Sequence, residues 1–535
     1  MKLKTVIFFV LLALLPVGYF SQNARVPKLL ANSQNLYSKI KIFTSILETI
    51  QRSYVEQRDP DDLLEAAIKG VVSNLDPHTV YLPADDFKAW NQSFEGYTGI
   101  GISFEVLREQ VTVMTVLDGS PADEAGIRRG DKIQKINGAS AVGLSRDKAS
   151  EMFHGPAGAP VELQVVRPRW KRPRNFRLIR KKIVLDSVPY AMMLANRIGY
   201  VKIDRFTSTT ARELDHALSE LEKKGMTNLV LDLRGNAGGY LNAAVAVADR
   251  FIPGGHKLLT TKGRLSSSFQ EFYSTNEKTR RQYPLVVLID HGSASAAEIV
   301  AGAIQDLDRG LIVGKTSFGK GLVQSQYRFH DGSALLITTA RYYTPSGRLI
   351  QRNFYDRSKD EYYWEAYDDS LSKARKQEDK TTYRTYLGRR VYAKGGIKPD
   401  IWVENDDNIL SEEVRRLYFS DKRFFYVFAE DYLKRFPHLR KSEDTYVKNY
   451  SISHAALKQF VRFVRNYDPS FSDAHLVNEK NTRDIKFLLK RDMAYMIWGN
   501  NARFRINLRR DRQLGEAVKH LHAAHKLLSL TVSMD

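Results

Sequence analysis

Between Ile198 and Gly314, short apolar runs alternate with stretches of helical period, and this constrains the fold more than any other feature. Ile198 to Ile203 reads as a strand. Thr209 to Lys224 reads as an amphipathic helix with Leu214, Ala217, Leu218 and Leu221 inside and Gly225 closing it. Leu229 to Leu233 is a buried strand, followed by the loop Arg234-Gly235-Asn236-Ala237-Gly238-Gly239 and another helix. Leu285 to Asp290, Ala296 to Gln305 and Leu311 to Gly314 repeat strand, helix, strand. Such alternation belongs to an α/β layer domain. The pattern ends near Ile401, and a polar, tyrosine-rich stretch, residues 353–394, interrupts its last part as an insertion.

The flanks have other textures. Residues 30–95 are helical: Ile40, Phe43, Ile46, Leu47 and Ile50 recur at helix spacing, as do Leu63, Leu64, Ala67, Ile68 and Val71. Asp76-Pro77 breaks that run. Residues 96–183 form a compact β-rich module with alternating strands such as Val111-Thr112-Val113 and turns at Gly119, Gly126, Gly130 and Gly138. Residues 184–402 hold the α/β domain, and residues 403–535 are helical and basic with no strand signal.

The N-terminus bears on compartment. Lys2 and Lys4 precede an uncharged apolar run, Thr5 to Phe20, which is the pattern of a secretory leader. No small-x-small cleavage triplet follows. The uncharged stretch extends to Ala24, about 20 residues, which just reaches the length of a membrane span. Residues 1–24 are therefore either a signal peptide or a membrane anchor, and the expectation is an exported, periplasmic protein, free or held at the inner membrane. The chain has no cysteine, which excludes disulfides, thiol nucleophiles and cysteine-ligated metals. Its net charge of +21 suits an anionic membrane or wall surface; export argues against nucleic acid. Much of the charge is local, with nine Lys/Arg between Arg167 and Lys182.

Three segments carry candidate chemistry. In Gly99-Ile100-Gly101-Ile102 two glycines let successive N–H groups converge into a nest for a carboxylate. In Asp290-His291-Gly292-Ser293-Ala294-Ser295-Ala296-Ala297-Glu298, Ser295 and Glu298 have the spacing of a capping box. The same spacing also places the Ser295 hydroxyl at the positive end of a helix, where N–H groups can hold an oxyanion. A serine nucleophile needs a base. His291 and Lys320, in Ser317-Phe318-Gly319-Lys320-Gly321, are the candidates, with Gln324 placed to hold the lysine amine. A lysine serves as base only if burial keeps it neutral near pH 7, and Phe318, Leu322 and Val323 supply apolar surroundings.

Two look-alikes are set aside. Gly314 to Gly321 nearly spells a phosphate-binding loop, but Gly321 stands where a Ser or Thr would bind magnesium, and Leu322 to Tyr327 alternates like a strand instead of opening a helix. Ser317 to Lys320 matches S-x-x-K without the partner motifs of penicillin-binding enzymes. His520, His522 and His525 form a cluster, but 520 and 522 point to different helix faces, so no metal site is expected.

The Gly99–Ile102 turn followed by Gly119-Ser120-Pro121-Ala122, Ala125-Gly126-Ile127, Gly130-Asp131 and Ile136-Asn137-Gly138 resembles a PDZ domain. Further on come Asp232 to Gly239, Ser293-Ala294-Ser295-Ala296-Ala297-Glu298, Phe318 to Gln324, Tyr342-Tyr343-Thr344-Pro345-Ser346-Gly347-Arg348 and Gly396-Ile397-Lys398-Pro399-Asp400. This ordered series resembles the C-terminal processing peptidase (tail-specific protease) family over residues 35–402. The insertion and helical tail resemble its Bacteroidetes-type members.

The resemblance implies a multidomain α/β protein: a ClpP/crotonase-like protease core, an inserted β-rich PDZ domain, an N-terminal helical segment and an all-α C-terminal domain. It implies a serine endopeptidase with a Ser–Lys dyad, Ser295 and Lys320, assisted by Gln324, with no metal and no cofactor. Oxyanion donors map to the backbone of Ala296 and of the Gly238-Gly239 turn. Gly99, Ile100, Gly101 and Ile102 map to the PDZ site for peptide C-termini. Two departures stand out: Ala297 replaces the third serine of the block, and Phe153-His154-Gly155 lies where many relatives place an arginine before the glycine. Expected partners are unfolded or C-terminally tagged proteins, an adaptor protein and an anionic membrane or wall surface. The alternatives are a non-catalytic PDZ adaptor on a protease fold and a binding protein for anionic wall polymer.

Overall fold

The computed structural model describes residues 33–167, 170–275, 281–355, 357–368, 381–404, 410–471 and 478–533. The apolar run at 5–24 lies outside the described residues, as do residues 356 and 369–380 of the insertion. The described residues form two compact units, divided between Tyr81 and Leu82. The first holds helices Ser33–Ser53 and Pro60–Ser73. Asp59 caps the second of these, accepting the Asp61 N–H, and Pro60 follows at a position where no N–H is needed. No helix among the described residues is long and apolar enough to cross a membrane.

The second unit is built on a six-stranded sheet. Its order is Tyr190–Met193, Ile198–Lys202, Asn228–Asp232, Leu285–Ile289, Leu311–Gly314 and Ile401–Trp402. The first pair is antiparallel and the rest are parallel. Side chains alternate across it. Val201, Leu231, Val287 and Ile312 face helices Thr210–Lys223, Leu241–Asp249 and Ala296–Asp306. Tyr200, Val230, Leu288 and Val313 face the other way, onto Leu514, Ala517, Leu521, Ala524 and Leu527. With both faces covered, the strands read as continuous apolar runs.

That second cover is a finding the sequence did not reveal. Helices Arg512–Lys519 and Leu521–Val532, at the end of the basic tail, form a layer of the α/β core. Burying Leu514, Leu521 and Leu527 there is worth roughly 1.5–3 kcal/mol each. Arg234 pins the layer at its edge, with Nη2 2.6 Å from Asp232 Oδ2 and 2.6 Å from Asp511 Oδ2. The helices from Glu412 to Leu508 instead enclose a core of their own, around Phe424, Phe428, Phe460 and Leu489.

Strands Leu322–Arg328 and Ala334–Tyr343 form an antiparallel hairpin that extends to Lys257–Gly263 and Gln270–Tyr273. The β-rich module has antiparallel strands Ile102–Leu107, Gln110–Val116, Lys132–Ile136, Pro160–Val166 and Arg174–Ile179, with helix Arg146–Phe153 packed on them. Its two connections pair with each other, Tyr97–Gly99 against Lys181–Ile183. In the insertion, helix Lys359–Tyr367 rests Tyr362 and Ala366 on Phe318 and Ala294.

Candidate active site

Three adjacent parallel strands, Asn228–Asp232, Leu285–Ile289 and Leu311–Gly314, end at one edge of the sheet. Parallel register therefore sets the three following loops side by side, the usual place for a site in such sheets. The first loop contains Gly238 and Gly239, the second Ser295 and the third Lys320.

The first two loops are stitched together. Asp290 Oδ1 accepts the N–H of Gly235 (2.8 Å) and of Gly292 (2.9 Å). Ser293 Oγ donates to the Leu233 carbonyl (2.8 Å), and the Ala294 N–H donates to the Asn236 carbonyl (2.9 Å). Ser295 follows, partly exposed, with φ 54° and ψ −112°. A non-glycine residue in that region costs of order 1–3 kcal/mol, and such strain collects where geometry serves function. Helix Ala296–Asp306 begins at the next residue, so the Ser295 hydroxyl sits at its positive end.

Gly238 lies directly on this turn. A Cβ there would stand 2.8 Å from Ser295 Cβ and 3.1 Å from the Ala296 nitrogen. Its N–H donates to Asn236 Oδ1 (2.8 Å). Gly239 is held by the segment beside it, through Phe206 N–H to the Gly238 carbonyl (3.0 Å) and Tyr240 N–H to the Phe206 carbonyl (2.8 Å). Neither of those bonds uses the Gly239 N–H.

The third loop meets the second through Glu298, which the sequence reading treats as a helix cap. Glu298 is fully buried. Its Oε2 accepts the Ser295 N–H (2.8 Å) and the Lys320 N–H (2.8 Å). Its Oε1 accepts the Gly319 N–H (2.7 Å) and the Ser317 hydroxyl (2.5 Å). Burial pushes its carboxyl up, against the pull of these four bonds. One carboxylate thus joins the Ser295 turn to the Lys320 loop. The cap spacing was legible; the other three contacts come from a loop 19 to 22 residues further on.

Lys320 Nζ donates to Gln324 Oε1 (2.6 Å), which brings two of the candidate residues into direct contact. Gln324 lies on strand Leu322–Arg328, where a P-loop would need a helix. Ser317 Oγ is engaged with Glu298 and with the Ile397 N–H (2.6 Å), and so is tied up in the loop's framework. His291 is buried, and its Nδ1 lies 2.9 Å from the Thr316 carbonyl oxygen, to which a protonated Nδ1 donates. A residue the sequence reading missed, Gln351, accepts the Gly321 N–H (2.8 Å) and so steadies the far side of the lysine loop.

The Gly99–Ile102 segment lies in the β-rich module. Gly101 has φ +78°, and a Cβ on it would fall 2.2 Å from Ser120 Cβ, so glycine is required there. Ile100 is buried, its carbonyl accepting the Ala122 N–H (3.0 Å).

The model of Peptidase family S41 matches residues 197–355, a span that includes Gly238, Ser295, Lys320 and Gln324. A PDZ domain model matches residues 112–167, and the model of the activating protease CtpB N-terminal domain matches residues 15–86. A carboxy-terminal-processing protease of Bartonella bacilliformis is 37% identical over 325 residues, which is 60% of this chain and 74% of that protein. The carboxy-terminal processing protease CtpA of Bacillus subtilis is 33% identical over 321 residues, 59% of this chain and 67% of that one. A solved structure, the photosystem II D1 C-terminal processing protease, is 27% identical, with 72% of this chain and 98% of that one covered and a TM-score of 0.35.

Proposed function

The chain belongs to the carboxy-terminal processing peptidase family, and from that premise we propose that this protease is a serine endopeptidase with Ser295 as nucleophile and Lys320 as base. The observation that carries the proposal is the pairing of a strained, partly exposed Ser295 with a lysine loop tied to the same turn by Glu298.

Neutral Lys320 Nζ, released from Gln324, takes the Ser295 proton as Oγ attacks a peptide carbonyl. The negative charge that develops on the carbonyl oxygen is received by the N–H groups of Ala296 and Gly239, with Gly238 shaping the turn between them. Lys320 then gives its proton to the leaving amine, the C–N bond breaks, and an acyl-enzyme remains on Ser295. Water, deprotonated by Lys320, attacks that ester; the C–Oγ bond breaks, the product acid leaves, and Lys320 returns its proton to Ser295 Oγ. Gln324 returns the amine to its place between steps. Nothing in this sequence calls for a metal or a nucleotide.

The PDZ domain supplies the second half of the proposal. The Gly99–Ile102 turn takes the free carboxylate of an unfolded or tagged protein, with the chain added beside strand Ile102–Leu107. The leader-like run Thr5 to Phe20 supports export to the periplasm, with retention at the inner membrane as one form of it. The basic surface suits an anionic membrane or wall, or an acidic adaptor.

The test is proteolysis of an unfolded protein by the wild type and by Ser295→Ala. Cleavage that survives Ser295→Ala would sink the assignment.

A further inference from the structure

Gly99 ends one connecting strand of the PDZ domain and begins the turn assigned above to carboxylate capture. A Cβ on Gly99 would meet the Tyr97 ring at 2.9 Å and His154 Cδ2 at 3.4 Å. Those two rings therefore wall the ground that glycine leaves open. They stand edge to face, with centroids 5.1 Å apart and planes at 80°.

His154 is the residue that closes helix Arg146–Phe153. Its own N–H donates to the Ser150 carbonyl (3.1 Å), and its Nδ1 lies 3.4 Å from Ser150 Oγ. Arg180 fixes this helix end: its Nε and Nη2 donate to the carbonyls of Phe153 (3.1 Å) and Met152 (2.8 Å), and its Nη1 to that of Pro160 (2.8 Å). The imidazole is thus set on a braced helix end and is exposed to solvent.

The groups around the ring are Tyr97 from the connecting strand, Ser150 from its own helix, Arg180 from the break between strands Arg174–Ile179 and Lys181–Ile183, and Lys88 from helix Ala84–Glu95. Partial burial holds its pKa below the ordinary histidine value against the upward pull of its hydrogen bond to the Ser150 backbone, and the charges of Arg180 and Lys88 push with burial. Tyr97 is held as a neutral phenol, burial raising its pKa. An anion beside Gly99 would reverse the balance at the imidazole.

We propose that His154 is a direct partner of the substrate's C-terminal carboxylate, seated beside the Gly99–Ile102 turn, and that capture of a C-terminus therefore strengthens as the pH falls. The proposal rests on the reading that this turn receives C-termini. A peptide carboxylate, with a pKa near 3.5, stays charged across pH 5.5–8. When it binds, it raises the pKa of His154. Binding then takes up a proton, so affinity rises as the pH falls through the bound-state pKa and levels below the free-state pKa. A full unit of coupling would be tenfold in affinity and is the upper bound; at this exposed site solvent sets the expected effect at about 3–10-fold.

The experiment uses the full chain carrying Ser295→Ala, so that the probe is not cleaved. The probe is a fluorescent decapeptide free of His, Asp and Glu that ends in Leu, as the free acid and as the amide. Dissociation constants are measured from pH 5.5 to pH 8 at constant ionic strength. The free acid should bind 3–10-fold tighter at pH 5.5 than at pH 8. In His154→Gln that slope should vanish. In His154→Lys, which keeps a charge throughout the range, binding should be tight and flat, and this separates lost charge from a damaged fold. A flat wild-type profile, or the same slope in His154→Gln, overturns the proposal while leaving C-terminal capture intact. Equal binding of acid and amide at every pH overturns C-terminal capture itself, and His154's role with it.

Discussion

Glu298→Gln tests the joint between the nucleophile turn and the lysine loop. The change removes a charge and scarcely alters size. In the wild type, each carboxylate oxygen accepts two bonds from donors that have few other choices. A glutamine offers one accepting oxygen and one NH2. If the NH2 replaces Oε2, it confronts the backbone N–H groups of Ser295 and Lys320, which cannot rotate away. If it replaces Oε1, the Ser317 hydroxyl can turn to accept, but the Gly319 N–H is left facing a donor.

One or two buried donors thus lose their partner in either orientation. Each costs roughly 1–3 kcal/mol. Relief from burying a charge offsets part of this, as the upward push on the carboxyl indicates. The net expectation is a loss of roughly 1–5 kcal/mol, read from the urea midpoint of tryptophan fluorescence. The folded variant should also cleave about 100-fold more slowly, because a displacement of about 1 Å in a catalytic group costs that much. A variant within about 0.5 kcal/mol of wild type and within tenfold of its rate would refute the idea that Glu298 sets both loops.

Two further outcomes follow from the same geometry. Gly238→Ala places a methyl 2.8 Å from Ser295 Cβ and 3.1 Å from the Ala296 nitrogen, so cleavage should fall at least about 100-fold while circular dichroism stays unchanged. Asp232 is fully buried, which by itself would raise its pKa, but the charges and hydrogen bonds of Arg234, with Lys202 and Tyr200, hold it well below the usual carboxylate range. Its folded pKa is thus depressed: the stability it supplies is present above about pH 4 and is lost as the pH falls towards the folded value. Urea midpoints of wild type and Asp232→Asn should differ most near pH 7 and draw together below pH 4.

The parts of this fold that local sequence can encode were legible. Strands such as Leu285–Ile289 announced themselves as continuous apolar runs, and the Ser295 turn by its cap spacing. What was not legible is which surface meets which. A stripe such as Leu514, Ala517, Leu521 and Ala524 reads as the face of a helix, but its partner, the back of the sheet around Val230 and Leu288, lies hundreds of residues away. Glu298 was visible as a cap, yet its bonds to Gly319 and Lys320 depend on loop placement by a neighbouring parallel strand. Phe318 was read as apolar cover for Lys320; the structure adds that it packs on Tyr362 from the insertion, with ring centroids 5.8 Å apart. Nor does any local pattern show that the Gly238 N–H is engaged by Asn236 Oδ1.

The central claim is that Ser295 and Lys320 act as one unit, and a mutant cycle measures this most directly. Cleavage rates of an unfolded protein are compared for wild type, Ser295→Ala, Lys320→Ala, the double variant and His291→Ala. If the two residues share one proton transfer, each single change should cost nearly as much as the double, since such effects are far from additive. His291→Ala should keep most of the rate, its ring being occupied with the Thr316 carbonyl. Losses that multiply in the double variant, or a His291→Ala as inactive as Lys320→Ala, would contradict the account.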